Sequence, residues 1–441
     1  MKYSLYGKYC FGIFCTVSIL LSTSCGSTEK IINKIKKPKP ANLSQVIHIL
    51  KRGQWDAFNY SELNRLIATY GKDQAHYSAE QRPYVVMDVN QSLLSLDIAD
   101  IIFAYQLEQL RFNHRPEQLA QALRQDIAIS NFSQQFNNQN GQATNIEVLV
   151  HDIVESYQWI YQQYQGFQGQ QSLAQIKLNP HYENFISKMR FLYAAIADRD
   201  GEQIALLWRI NLLYGFHQDD IDEILKQAMQ WQKSAAIEQL TWTSPASLSG
   251  QTGRVTIRWH NGLRVFAEMR DLIQSLQAHG FDVYICDSVP IDILKALLSN
   301  PEFGFNIPES NLIGIEPRRD QQQRIMLQSL HHANLPYGKA KSQFIQKILI
   351  ARYGYSPILM VGNGLKDQDL LTDFPDTQKI LLINWLRDPN SAIGRMAQLA
   401  FAQYGQENGR YLLQGLDANV GAFIASPKSI RYGQSTRQAF Q

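Results

Sequence analysis

Three short apolar runs in this 441-residue chain each end in residues that could do chemistry. Tyr84-Val85-Val86-Met87 runs into Asp88-Val89-Asn90-Gln91-Ser92. Tyr284-Ile285-Cys286 runs into Asp287-Ser288-Val289-Pro290, and Met360-Val361 into Gly362-Asn363-Gly364-Leu365-Lys366-Asp367. Ahead of that last run, Gly338-Lys339-Ala340-Lys341 opens a helical stretch. In an open parallel sheet the reactive crevice lies just beyond the carboxyl ends of the strands. Carboxylates at three such ends, with a lysine, are the side chains that hold a phosphoryl group and a hard cation such as Mg2+.

The intervening pattern supplies the elements that position them. Helical spacing runs from about residue 43 to Tyr70 and is broken by Pro83, after which Tyr84–Met87 reads as a buried strand. From about Leu96 to Ser244 the pattern is almost wholly helical, with helices expected over Phe185 to Ala197, Ile204 to Phe216 and Ile221 to Ala236. Gln and Gly gather between Gln162 and Gln171 and mark a loop. Strand-like alternation returns at Val255, Ile257 and Trp259, then at Phe281–Cys286, Ile358–Val361 and Ile380–Ile383, with helices between. Strands alternating with helices predict an α/β fold with a parallel, Rossmann-like sheet. Its first strand precedes the helical block, so that block is expected as an all-helical cap inserted after strand one. The boundaries expected are 1–25 for a signal segment, 26–42 for a basic tether, 43–95 for N-terminal helices and the first strand, 96–250 for the cap, and 251–441 for the rest of the core.

The strand-end residues resemble the motifs of the haloacid dehalogenase superfamily, in its phosphoserine-phosphatase-like branch. Tyr84–Leu94 looks like the first motif, an apolar strand followed by Asp-x-Asp-x-Thr. Gly262–Pro290 resembles the second-motif region, Gly338–Ile345 the third, and Val361–Leu371 the fourth, Gly-Asp-Ser-x-x-Asp. The match spans about Pro83 to Trp385 in the right order. The resemblance implies Asp88 as a nucleophile that forms an aspartyl-phosphate. It implies an acid/base two residues on, Lys341 with a second-motif hydroxyl around the phosphoryl oxygens, and Mg2+ held by Asp88, the Asn90 position, Asn363 and Asp367.

Several of these positions depart from the family pattern. The acid/base position is Asn90, which cannot exchange a proton near neutral pH, and losing such a group typically costs about 10²–10⁴ in rate. The phosphate-binding Ser or Thr aligns with Asp287, with Ser288 adjacent, and a charge at Asp287 would repel a phosphate. The fourth motif has Asn363 for Asp and Gly364 for Ser, while Asp367 is retained. Three readings follow. One is weak or altered Mg-dependent hydrolysis of a phosphorylated small molecule. Another is a non-catalytic protein that binds a ligand or partner in the cleft between core and cap. The third is carbon–halogen chemistry on the same nucleophile, which in the superfamily needs neither that acid nor magnesium.

The N-terminus speaks to location. Lys2 and Lys8 precede the apolar run Tyr9 to Leu21, and Ser22-Thr23-Ser24 lead to Cys25. That is a secretory signal layout. The small residues ending in Cys25-Gly26-Ser27 resemble a bacterial lipoprotein signal, although Ser22 stands where leucine is usual. The resemblance implies cleavage before Cys25, lipid on its sulfur and a membrane anchor, with the outer membrane favoured because no Asp follows the cysteine. Lys30, Lys34, Lys36, Lys37 and Lys39 then read as a tether near anionic headgroups. A net charge of +3 is too small to point to nucleic acid. No Cys/His cluster has zinc spacing, and no Gly-x-Ser-x-Gly elbow, dinucleotide loop or P-loop is present.

Overall fold

The computed structural model describes residues 48–331, 335–406 and 409–441. The signal segment, Cys25 and the lysine-rich tether therefore lie outside the described residues. The first described helix is α1 (Ala57–Tyr70), within the stretch whose spacing is helical. Asp56 caps it, accepting from the amides of Phe58 and Asn59. Residues 48–56 before it are not helical, and Ile49 and Leu50 donate their amides to Asn64 on α1.

The core is one six-stranded sheet made of β1 (Tyr84–Met87), β4 (Asp282–Pro290), β5 (Leu312–Ile315), β6 (Leu359–Gly362), β7 (Lys379–Ile383) and β8 (Tyr411–Gln414). Its strand order is β5-β4-β1-β6-β7-β8, and every neighbouring pair is parallel. Counting core strands alone, this is the 3-2-1-4-5-6 order of a Rossmann-like sheet. Strand β1 is buried at every residue, as a central strand covered on both faces requires. A small four-stranded sheet follows β8 and ends the chain, and its Phe423 ring packs 4.7 Å from Phe266 and 5.3 Å from Trp55.

Between β1 and β4 the chain builds the insertion. Its helices are α2 (Ile98–Gln109), α3 (Pro116–Arg124), α4 (Ile146–Gln163), α5 (Leu173–Lys177), α6 (Pro180–Arg199), α7 (Glu202–Asn211) and α8 (Gln218–Ser234). It is helical in bulk but closes on a hairpin, β2 (Glu238–Thr243) with β3 (Thr256–Asn261). The alternation at Val255, Ile257 and Trp259 is thus a strand, but it pairs antiparallel with β2 and not with the core sheet. The hairpin runs to Asn261. The hairpin tip is fixed to the cap helices, since Gln139 donates its amide to the Arg254 carbonyl and Thr252 donates to Asp152. Helix α9 (Ala267–Ala278) then leads back to the sheet. Among the described residues, no helix is long and apolar enough to cross a membrane.

Asp152 on α4 holds the cap together. It accepts from Lys188 of α6 at 2.8 Å and from the amides of Gln251 and Thr252, each at 2.9 Å. Both charged side chains are buried, and the Lys188 ammonium also donates to the carbonyls of Leu248 and Ser249. Removing one partner of a buried pair strands the other charge, which costs about 3–5 kcal/mol. Asp152→Ala is therefore expected to lower the unfolding free energy by about that amount, read by urea denaturation followed by circular dichroism. A loss below about 1 kcal/mol, the scale of an exposed pair, would show that the contact is dispensable.

Candidate active site

Chain direction in the sheet reverses at β1. The first crossovers run β1 to β4 to β5, and the next returns to β6 on the other side of β1. Such a switch point opens a crevice beyond the strand ends, and Asp88 stands at its mouth. The Asp88 amide donates to the Val361 carbonyl at 2.9 Å, which ties the residue after β1 to β6.

The sequence-selected residues converge there. The Lys341 ammonium, on α11 (Lys339–Phe344) after the short α10 (Ile291–Leu294), donates to Asp88 Oδ1 and Asp367 Oδ1, each at 2.6 Å. All three side chains are fully buried. Asp367 Oδ2 accepts the amides of Asn363 and Gly364 at 3.0 and 2.8 Å, closing the turn after β6. Lys339 lies outside this cluster, exposed and paired with Asp373 at 2.7 Å.

Asp287 takes an unexpected place. It is fully buried, and its Oδ2 accepts the amides of Val89 at 2.9 Å and Asn90 at 3.1 Å. These amides follow the nucleophile position and point into the crevice mouth. The Ser288 hydroxyl does not replace it there, because it donates to the Pro336 carbonyl at 2.8 Å. Asn90 is also committed. Its Oδ1 accepts the Ile98 amide at 3.0 Å, and its Nδ2 donates to Asp97 Oδ2 at 3.2 Å. Asp97 is the N-cap of α2, and the Arg209 guanidinium of the cap approaches it to 3.6 Å. Asp97 therefore both caps its helix and faces the site. The buried Ser92 hydroxyl has no hydrogen-bond partner among the described residues.

Burial, then the charges of Asp287 and Asp367, push the Asp88 carboxyl well above the usual carboxylate range. Burial acts the same way on Asp287, but Lys341, Lys366, the Asp88 carboxyl and the Val89 amide outweigh it and hold Asp287 below that range. Asp88 Oδ2 and Asp287 Oδ1 have no hydrogen-bond partner among the described residues. Neighbouring buried carboxylates resist ionising together, and the two amides favour the charge on Asp287. Burial opposes the Lys341 charge, but Asp367, Asp88 and Asp287 outweigh it and keep the ammonium protonated.

The magnesium that the motifs imply does not fit this donor set. Asp367 has both oxygens engaged, by Lys341 and by two amides. Asn363 Oδ1 and the Asn363 carbonyl both accept from Arg387. The Asn90 side-chain oxygen holds the Ile98 amide. A hard cation needs several oxygens in near-octahedral array; here an ammonium, a guanidinium and backbone amides engage all of these side-chain oxygens but Asp88 Oδ2. Elsewhere among the described residues, His151, Asp152 and Glu155 bring ligand atoms within 4.8 Å of one another, but Asp152 is the carboxylate spent on Lys188.

Two contributors escaped sequence reasoning. Arg387 lies four residues beyond Ile383, the end of β7, so reading the loop after that strand would have found it. Burial pulls its guanidinium down to about 10, with Asp367 opposing. Lys366, inside the fourth motif, is drawn toward the site, and Asp287 and Asp88 raise its pKa against the effect of burial.

No family model matches the chain, and no curated protein sequence matches it. Among solved structures it is similar to a conserved protein of unknown function from Anaerococcus prevotii. The TM-score is 0.78 at 26% identity, over 87% of this chain and 99% of that one. A protein of unknown function from Bordetella pertussis matches at TM-score 0.37 and 10% identity, over 71% of this chain and 94% of that one. A phosphoserine phosphohydrolase-like protein from Francisella tularensis matches at 0.28 and 11%, over 68% and 87%. The first likeness shows that this architecture, over 87% of the chain, recurs in another protein.

The engaged donors give a direct test. A ligand at a hundred times its dissociation constant stabilises a fold by about 2.7 kcal/mol. Millimolar Mg2+ is expected to leave the thermal midpoint where EDTA leaves it. A reversible upward shift of several degrees, lost in Asp88→Asn, would show that the cations give way to the metal.

Proposed function

We propose that this chain is a phosphohydrolase fold of the haloacid dehalogenase type whose phosphate-binding turn is filled by its own side chain, and that it works by binding and not by efficient phosphomonoester turnover. The observation that carries this reading is the Asp287 carboxylate on the amides of Val89 and Asn90. By resemblance to the superfamily, those amides would receive phosphoryl oxygens. An incoming phosphate would have to displace a buried anion and then lie beside it. The acid/base position supports the same reading, since Asn90 is spent on Ile98 and Asp97. Weak hydrolysis keeps one observation in its favour, the retained contact of Asp88 with Lys341 and of Lys341 with Asp367.

Export and lipid attachment at Cys25 are proposed from the sequence alone, on the small residues that lead from the apolar run to that cysteine. A chain carrying several acyl groups would stay on its membrane, where a single acyl group holds only marginally.

Phosphate release from a panel of phosphomonoesters, with and without Mg2+, is expected to equal that of Asp88→Asn. Magnesium-dependent release that disappears in Asp88→Asn would sink the binding reading and restore a phosphatase. In a bacterial host, radiolabelled palmitate is expected to enter the wild-type chain and not Cys25→Ala; equal labelling of both would remove the lipoprotein assignment.

A further inference from the structure

A second site lies where the cap joins the core. The outgoing linker after Asp88 and the returning linker after β3 are bonded to each other. Leu94 and Val265 form an antiparallel bridge, Phe266 donates its amide to the Leu93 carbonyl at 3.0 Å, and Ser95 donates to the Arg264 carbonyl at 2.8 Å. Beside this paired hinge is a cavity of about 630 Å³, within the size range of small-molecule sites.

The cavity has three walls. Lys226, Met229, Gln230 and Lys233 line it from α8, at the i, i+3, i+4, i+7 spacing that puts them on one helix face. The returning linker contributes Leu263, Arg264 and Val265, and the core contributes Arg270, Glu302 and Phe303. Four side chains are cationic and one is anionic. Glu302 is neutralised by Lys226 at 2.9 Å. The Arg264 guanidinium is spent on the carbonyls of Gln232, Leu263 and Ala235 at the end of α8. Lys233 and Arg270 remain, and among the described residues neither has a hydrogen-bond or ion-pair partner. They face apolar surface from Met229, Leu263, Val265 and Phe303.

We propose that this hinge cavity binds a small organic anion with an apolar body, its acidic head between Lys233 and Arg270 and its body on the apolar wall. Both parts of the ligand are needed. An isolated anion gains little from half-exposed cations in salt solution, whereas burying the apolar body adds about 25 cal/mol per Å². Because the walls come from cap, linker and core, the bound molecule holds the cap in one orientation on the sheet. This site is separate from Asp88, and the proposal stands whether or not the Asp88 site turns over.

The test is calorimetric titration of the full chain with octanoate, with octanol and acetate as probes of the apolar body and of the charge alone. Octanoate is expected to bind, and both controls to bind more weakly by about tenfold or more. Lys233→Gln combined with Arg270→Gln, two side chains away from the packed interior, is expected to weaken octanoate by about tenfold while leaving circular dichroism and octanol binding unchanged. Absence of octanoate binding would overturn the proposal. So would undiminished binding in the double variant, or acetate binding as tightly as octanoate. None of these outcomes bears on the Asp88 site, because neither cation touches it.

Discussion

A lysine ammonium taken wholly out of water loses several kcal/mol of hydration, and Lys341 recovers it only through the two carboxylates it bridges. Those carboxylates stand at the ends of adjacent strands, β1 and β6, so the triad fastens together the two halves of the sheet at its switch point. Asp367 is doubly used, because its second oxygen closes the turn of Asn363 and Gly364. The remaining acid, Asp287, has no share of that ammonium by hydrogen bond. It is satisfied by the Val89 and Asn90 amides. The site thus gathers the cations Lys341, Lys366 and Arg387 around the acids Asp88, Asp287 and Asp367.

Much of this was legible in the sequence, and the reasons for the remainder are physical. Strands β1, β4, β6 and β7 are β-branched, buried runs of four or more residues, and the residues after them converge because parallel strands bring their carboxyl ends to one side. Strands β5 and β8 passed unread. Leu312-Ile313-Gly314-Ile315 and Tyr411-Leu412-Leu413-Gln414 are the two edge strands, and a four-residue run shows no period of its own; β1 and β6, equally short, were readable through the motif residues that follow them. The alternation of β3 was readable, but its partner was not, because pairing with β2 depends on a turn and not on the strand's own pattern. At the site, convergence of Asp88, Lys341 and Asp367 followed from strand ends. That Asp287 would reach back to amides nearly 200 residues earlier depends on the register between β1 and β4, which no local pattern encodes.

The cap is coupled to the site through polar contacts that begin at the altered positions. Asn90 donates to Asp97, Asp97 caps α2 and meets Arg209, and on the other side Lys366 lies 3.9 Å from Glu202 of α7, which also accepts from Tyr337. Burial lowers the effective dielectric around Asn90 and Arg209 and strengthens their contacts, whereas Glu202 is about half exposed. Cap and core are thereby held by residues of the site itself.

The departures from the family pattern therefore depend on one another. With Asp287 charged beside the Val89 and Asn90 amides, a carboxylate at position 90 would bring another acid against Asp88, Asp287 and Asp97, and like charges at such range cannot all stay ionised. An amide at that position avoids the repulsion and can donate to Asp97, which a carboxylate cannot. Likewise, Arg387 on Asn363 supplies a positive charge near Asp367 where a divalent ion would otherwise be required, and the neutral Asn363 carbonyl accepts it without a further anion. Restoring an acid at position 90 alone would set it against Asp97 and Asp287. An acid at position 363 alone would leave Asp287 on the Val89 and Asn90 amides, so each of these residues now stabilises the next.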